Sequence, residues 1–137
     1  MSYGAAYALQ EAVYDRLLQD AALRALVGQA IFDAPPAGPL PPLFVLLGAE
    51  DVRDASDKTG RGAVHRLVVT VVTEEASFAT AKSAAVAVSD ALVDAPMTLS
   101  RGHLVSLDFV KARAMRAGTQ GLRRIALTFA ARVADDG

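Results

Sequence analysis

Apolar residues near the start of the chain recur at helical spacing. Leu9, Val13 and Leu17 lie four residues apart, and alanines widen the apolar stripe that they form. Polar side chains occupy most of the remaining positions, which is typical of a helix with one buried face. The pattern predicts an amphipathic helix over residues 3–19.

A second, shorter helix is expected directly afterwards. Asp20 is a suitable N-cap, because its carboxylate can accept a hydrogen bond from a free backbone N–H of the first turn. We expect Leu23, Leu26 and Val27 to face inward, with Gly28 as a left-handed C-terminal cap. The chain therefore opens with two helices joined at a corner.

The middle of the chain alternates between irregular segments and strands. Five prolines in residues 34–42 remove backbone donors and disfavour helix, which predicts an irregular connector. Residues 43–48 are apolar without alternation, as in a short strand covered on both faces, and residues 64–74 form a longer run rich in β-branched side chains. The charged and glycine-containing residues 50–62 between them are predicted to be a solvent-exposed hairpin tip or flap.

Helical spacing returns after these strands, over residues 76–93. The apolar positions repeat at intervals of three and four residues at Phe78, Ala81, Ala85, Val88 and Leu92. Ser77 is a candidate cap, and Pro96 prevents the helix from continuing. We expect this central helix to cover one face of a sheet.

The last third of the chain has the pattern of a long antiparallel pair. Residues 103–116 and 122–133 flank a turn at residues 117–121. The second arm alternates, with one face formed by Ile125, Leu127, Phe129, Ala131 and Val133. Basic residues crowd the distal half, so we expect the tip to leave the globule as a charged arm.

These elements together predict an α+β fold. The N-terminal helices and one central helix would pack on an antiparallel or mixed β-sheet that ends in a long C-terminal β-hairpin. With 137 residues, the chain fits one domain over residues 1–137. Its bulky apolar runs are far shorter than the ~20 residues needed to cross a bilayer. Since nothing in the pattern resembles a secretion signal, we expect synthesis and residence in the cytoplasm.

Charge and cysteine content narrow the possible functions. Fourteen Lys and Arg against fifteen Asp and Glu give a net charge of −1, which lacks the basic excess of a sequence-specific nucleic-acid binder. A ring that surrounds DNA without gripping it is compatible with this balance. The absence of cysteine excludes disulfides, thiolate catalysis and zinc sites built on sulfur.

The candidate residues for chemistry do not form a recognisable reaction centre. His65 and His103 have no companion ligand at a suitable spacing, and Asp51, Asp54 and Asp57 recur every third residue rather than in the ladder of an EF-hand loop. The glycines near residue 60 lack the Lys-Ser/Thr of a phosphate loop, and no serine lies in a nucleophile elbow. We therefore predict no catalytic, cofactor-binding or metal-binding residues, and a protein that is not an enzyme.

The order of these plain motifs resembles one known family. The order runs through Asp20–Gly28, Ile31-Phe-Asp33, residues 43–48 and 62–73, the central helix, Asp94-Ala-Pro96 with Met97-Thr-Leu99, and the terminal hairpin. It is similar to that of the tail-completion or tail-terminator proteins of siphophages and gene transfer agents. The resemblance covers nearly the whole chain, and its specificity lies in order and spacing.

The resemblance implies a structural role in a virion or phage-like particle. Proteins of this family form a hexameric ring on the head-proximal end of the tail tube, stop tube growth and present a surface to head-completion proteins. The implied partners are further copies of the chain, the tail tube protein and the head-tail stopper, with DNA passing through the channel without sequence-specific binding. Assembly would take place in the bacterial cytoplasm, without a membrane or cofactor.

The family has no signature residue, so candidate interfaces rest on charge and exposure. Six copies joined head to tail need two different complementary patches. The candidate loop interface consists of Glu50, Asp51, Arg53, Asp54, Asp57, Lys58 and Arg61. The candidate hairpin interface consists of Lys111, Arg113, Arg116, Arg123 and Arg124. We favour protein contact for the hairpin, because no aromatic residues are interleaved to stack on bases. An edge strand beside the proline connector is a third candidate.

Three alternative functions remain open from the sequence alone. A head-tail stopper or another connector component would share the same size and composition. A small ligand-binding α+β module in the cytoplasm would require a concave apolar pocket with converging polar groups. An enzyme is the third alternative, for which the residues provide no constellation.

Overall fold

The computed structural model describes residues 3–56, 61–75, 77–117 and 121–135. Within these ranges the chain forms three helices and five strands in mixed order. The helices are α1 (Ala6–Gln19), α2 (Ala21–Val27) and α3 (Ala79–Leu92). The strands are β1 (Ile31–Phe32), β2 (Leu43–Asp54), β3 (Gly62–Thr73), β4 (His103–Ala117) and β5 (Leu122–Ala134).

The strands form one mixed sheet in the order β1-β2-β3-β5-β4. β1 runs parallel to β2, whereas the other neighbours are antiparallel. The helices pack on one face, and α3 lies over β3, β5 and β4. Leu17, Val88 and Phe129 belong to one buried core that joins the helices to the sheet. The α+β fold and the C-terminal hairpin predicted from the sequence are confirmed.

Both N-terminal helices occur where their periodicity predicts them, although α1 begins at Ala6. Asp20 caps α2, since its Oδ2 accepts a hydrogen bond from the Leu23 backbone N–H at 3.0 Å, and Gly28 adopts a φ of 61°. The inward orientation expected for Leu26 is wrong, because 39% of this residue is exposed. Leu23 and Val27 fill the buried stripe of this short helix, and Leu26 points about 60° away from Leu23 around the helix axis.

β2 is much longer than the sequence indicates. Phe44 and Val45, on opposite faces, are both buried, as expected for residues 43–48. The strand does not end there: the pairing register shifts between Leu47 and Glu50, and β2 then stays paired with β3 as far as Asp54. The flap expected over residues 50–62 is therefore half strand, because a bulge-like irregularity carries the charged residues back into the ladder.

α3 confirms the apolar stripe predicted for the central helix. Ala81, Ala85, Val88 and Leu92 are all buried. The helix begins at Ala79, three residues later than expected, and the Ser77 hydroxyl accepts a hydrogen bond from the Ala79 N–H at 2.9 Å.

The C-terminal hairpin is held by the sheet along most of its length. β4 and β5 pair from His103 opposite Ala134 to Ala117 opposite Leu122. β3 stays paired with β5 as far as Thr73 opposite Arg123. The expectation of an arm leaving the globule is thus wrong for the described part of the hairpin, because β3 is nearly as long as β5. Residues 118–120, at the predicted turn, lie outside the described residues.

Candidate functional site

The two segments predicted as interfaces lie at diagonally opposite corners of the sheet. At one end of the strands, Asp54 of β2 pairs with Ala63 of β3. The basic half of the hairpin lies at the other end, where Arg123 of β5 pairs with Thr73 of β3. β3 and β5 separate β2 from β4, so the two segments also differ in sheet edge. The structure does not bring them together.

The loop corner, formed by residues 50–56 and Arg61, carries charges of both signs. Arg53 lies 3.9 Å from Asp51, and both side chains are more than half exposed. The Ser56 hydroxyl donates a hydrogen bond to Asp54 at 2.8 Å, which holds the pKa of this carboxyl below its ordinary value. Asp57 and Lys58, which belong to the predicted loop interface, lie outside the described residues.

The hairpin corner divides its five basic residues between the two faces of the sheet. Cross-strand partners share a face, so Arg116 and Arg123, which pair with each other, lie on the helix-bearing face. Alternation along each strand then assigns Lys111, Arg113 and Arg124 to the opposite face. No single surface of the described hairpin therefore presents all five charges.

Arg123 differs from the other four because it contacts the body of the protein. Its Nη1 donates a hydrogen bond to the Glu75 carbonyl at 3.2 Å. Its guanidinium also lies 5.4 Å from the centre of the Phe78 ring, in cation–π geometry. These contacts attach the hairpin to the segment before α3, whereas Arg113, Arg116 and Arg124 are exposed.

The sheet face opposite the helices is predominantly basic. Cross-strand pairing and alternation place eight charged residues on this open face. The six basic residues are Arg53, Arg66, Lys111, Arg113, Arg124 and Arg132. The two acidic residues are Asp51 and Asp108. Since the whole chain carries a net charge of −1, its charges are distributed unevenly between the two layers.

A three-residue contact that sequence spacing does not reveal joins the segment before α1 to the sheet. The Tyr3 hydroxyl donates a hydrogen bond to Glu50 Oε1 at 2.9 Å, and Glu50 Oε2 lies 3.5 Å from Nδ1 of the buried His65. The Glu50 hydrogen bond and negative charge raise the pKa of Tyr3 above its ordinary value. The charged run around residue 50 predicts a loop, which gives no sign of this contact; the β2–β3 register, with Val52 opposite His65, reveals it.

The cavity beside Glu50 is too small for a typical small-molecule ligand. Its volume is about 70 Å³, well below the ~300 Å³ of a typical ligand pocket. A larger and more open groove, of about 410 Å³, lies between α3 and the hairpin. This α3–β4 groove is lined mainly by small and apolar side chains, among them Val86, Phe109, Ala112, Ala114, Ile125 and Leu127.

Neither a metal centre nor a membrane span is found in the described part of the chain. No three His, Asp or Glu side chains of residues 3–56, 61–75, 77–117 and 121–135 cluster as a metal site would require. Within the same ranges, none of the helices combines the length and apolar character needed to cross a membrane. The features described above are surfaces: two distinct corners, a basic open face and an apolar groove.

Comparison with known proteins gives a consistent assignment. A family model described as "Tail completion protein gp17" matches residues 11–134. Among solved structures, the chain is similar to one in a structure described as "Virion of native gene transfer agent (GTA) particle". The two chains share 59% sequence identity with a TM-score of 0.92, over 97% of this chain and 99% of the other.

A search of curated proteins found no match. The family model nevertheless spans most of the helices and all five strands described above. The resemblance inferred from the order of motifs is thereby confirmed. The chain belongs to the tail completion protein gp17 family.

Proposed function

We propose that this protein completes the tail of a phage-like particle by ending its tube. In this proposal six copies form a ring on the head-proximal end of the tail tube, stop its polymerisation and join it to the head-completion proteins. DNA passes through the channel of the ring. The observation that carries the proposal is the similarity to a chain of the gene transfer agent virion, which extends over nearly the full length of both chains.

The layout of the surface suits a ring of identical subunits. A head-to-tail contact joins two different patches, and the rotation between neighbours closes the ring. The loop corner carries charges of both signs, whereas the hairpin corner is basic. The two corners also lie at opposite ends of the strands and at different edges of the sheet. Neighbouring copies can therefore meet through unlike surfaces, as closure requires.

We assign partners to the two corners on this basis. The loop corner would face the channel or the tail tube, and the hairpin corner would contact a neighbouring copy or the head-side stopper. Arg113, Arg116 and Arg124 are the residues to test, because they are exposed, whereas Arg123 contributes to the fold. The edge beside the proline connector is a weaker candidate for pairing than expected, because β1 contains only two residues.

The proposal treats residues 1–137 as one tail-terminator domain with a structural role and no enzymatic activity. It places the protein at the head-proximal end of the tail, after assembly in the bacterial cytoplasm. A head-tail stopper would have a similar size, but its partners would be the adaptor and the completed tail rather than a growing tube. A terminator stops the growth of the tail tube, whereas a stopper binds a tail that is already complete, so an assay of tube growth distinguishes the two functions.

The test is polymerisation of the purified tail tube protein with and without this chain, with tube lengths measured by electron microscopy. We expect shorter tubes with one end blocked. Arg113→Glu should block less where the hairpin corner joins neighbouring copies of the ring, and should block normally where it contacts only the head-side stopper. Arg24→Glu is the matched control, since it reverses an exposed arginine on α2, away from the hairpin. Unchanged tube lengths together with binding to the adaptor protein would favour a stopper instead.

A further inference from the structure

The long edge of the sheet is exposed and apolar. β4 has 15 residues and pairs with β5 alone among the described strands. Its Leu107 carbonyl accepts a hydrogen bond from the Asp94 N–H at 3.3 Å, so the part of its outer edge that another chain can pair with lies beyond Leu107. Phe109 and Val110 on this strand are 46% and 38% exposed, and Val86 of α3, across the α3–β4 groove, is 59% exposed. Apolar side chains gathered in one exposed groove mark an interaction surface.

The charges around this groove are basic. Lys82 of α3 lines it, and Arg116 lies on the same helix-bearing face of β4, whereas Lys111 and Arg113 lie on the open face. No Asp or Glu is among its lining residues. An occupant that combines apolar side chains with carboxylates would complement it in both shape and charge.

A surface of that composition lies elsewhere on the same molecule. Tyr3, just before α1, and Tyr7, in its first turn, are 60% and 71% exposed. Tyr3 is hydrogen-bonded to Glu50, and Glu11 follows Tyr7 by one helical turn on the exposed side of α1. Tyrosine is favoured at interfaces because a large apolar ring carries a polar tip.

The Tyr3–Tyr7 segment is separate from the groove, because none of its residues lines the groove, although Gly4 lies against the Arg101 side chain that precedes β4. α1 contacts β1, and Leu9 and Val13 share a small cavity with Glu50 of β2. The α3–β4 groove lies at the β4 edge, with β3 and β5 in between. One copy therefore cannot fill its own groove with its own tyrosines, whereas a neighbour placed edge to edge can.

We propose that the α3–β4 groove receives the Tyr3–Tyr7 segment of a second copy of this chain. The groove volume of about 410 Å³ is more than twice the ~150 Å³ of a cavity that holds a benzene ring, so it has room for tyrosine rings. Glu11 and Glu50 then face the basic side chains of Lys82 and Arg116. Because the two surfaces differ, the contact is head to tail and can propagate around a ring.

This contact specifies how the subunits of the ring proposed above meet, and it is tested on the purified full chain without tail proteins. The chain lacks cysteine, so single cysteines can be introduced at chosen positions. A mixture of Tyr7→Cys and Val86→Cys chains, oxidised with copper phenanthroline, is expected to give a disulfide-linked dimer containing one chain of each kind. Leu26→Cys mixed with Val86→Cys is the matched control, because Leu26 is exposed on α2 outside both surfaces.

Aspartate variants provide the complementary measurement. Tyr7→Asp and Val86→Asp are each expected to weaken self-association about tenfold or more in sedimentation equilibrium, as for a central aromatic or apolar contact. Mixed together, they should recover dimers but no larger species, since each retains one intact surface. Both positions are exposed, so folding should be preserved, which the circular dichroism spectrum checks.

Two results would overturn the proposal. One is cross-linking of Tyr7→Cys with Val86→Cys no stronger than in the Leu26→Cys control. The other is self-association of both aspartate variants equal to that of the unchanged chain. Either result would leave tube termination unaffected, because the tube-length experiment measures termination separately.

Discussion

Glu50 is the residue on which three parts of the fold converge. Its carboxylate accepts the Tyr3 hydrogen bond from the segment before α1 and lies beside His65, which is 1% exposed in the sheet. Spacing could not predict this contact, because Tyr3 and His65 are far apart in sequence and Glu50 stands in a charged run that looks like a loop. By contrast, the burial of Leu9 in the apolar stripe of α1 follows from helical periodicity alone.

Replacing Glu50 by Gln should bring the pKa of Tyr3 back toward its ordinary value of about 10. The carboxylate accepts the phenol hydrogen bond and repels phenolate, so the raised pKa of Tyr3 depends on it. Since the folded-state pKa is raised, the contribution to stability is present below about pH 10 and is lost as the pH rises through the folded-state pKa.

The measurement is a pH titration of the Tyr3 ring carbon by NMR. Asp15→Asn is the matched control, because it removes an exposed carboxylate elsewhere on α1. A Tyr3 pKa that does not fall in Glu50→Gln, or that falls equally in Asp15→Asn, would contradict the contact.

Among the elements, regular periodicity separates those that the sequence predicts from those that it does not. α3 and the hairpin follow from repeats at Ala81, Val88 and Phe129, which share buried faces. The second half of β2 does not, because its side chains are mostly charged and Gly48 interrupts the apolar run. Only pairing with β3 reveals that residues 50–54 form a strand. The pairing of β3 with β5 is also the reason that the hairpin does not project.

Asp20→Ala should lower the free energy of unfolding by about 0.5–2 kcal/mol, the usual cost of losing an N-cap. The Asp20 carboxylate satisfies the Leu23 N–H in the first turn of a helix of only seven residues, which has few hydrogen bonds of its own. Urea unfolding followed by circular dichroism measures this change. Asp15→Ala, at an exposed position inside α1, should change the free energy by less than about 0.5 kcal/mol, and an equal loss in both variants would contradict the capping role.

For the whole molecule, what matters is how the surfaces are distributed. The basic residues of the hairpin can be identified from the sequence, but their division between two faces is decided by the pairing of Arg116 with Arg123. The groove could not be predicted, since Val86 and Phe109 have the character of core residues and only the position of β4 at the sheet edge exposes them. Distinct surfaces at opposite edges are what a closed ring of identical subunits needs.

The most direct test of tail completion is negative-stain electron microscopy of particles produced after deletion of this gene. If the protein ends the tail tube and joins it to the head, the deletion should give tails of uncontrolled length, detached from full heads. Restoring the gene should return tails of uniform length attached to heads. Tails of normal length attached to heads in the absence of the gene would contradict the role proposed for this protein.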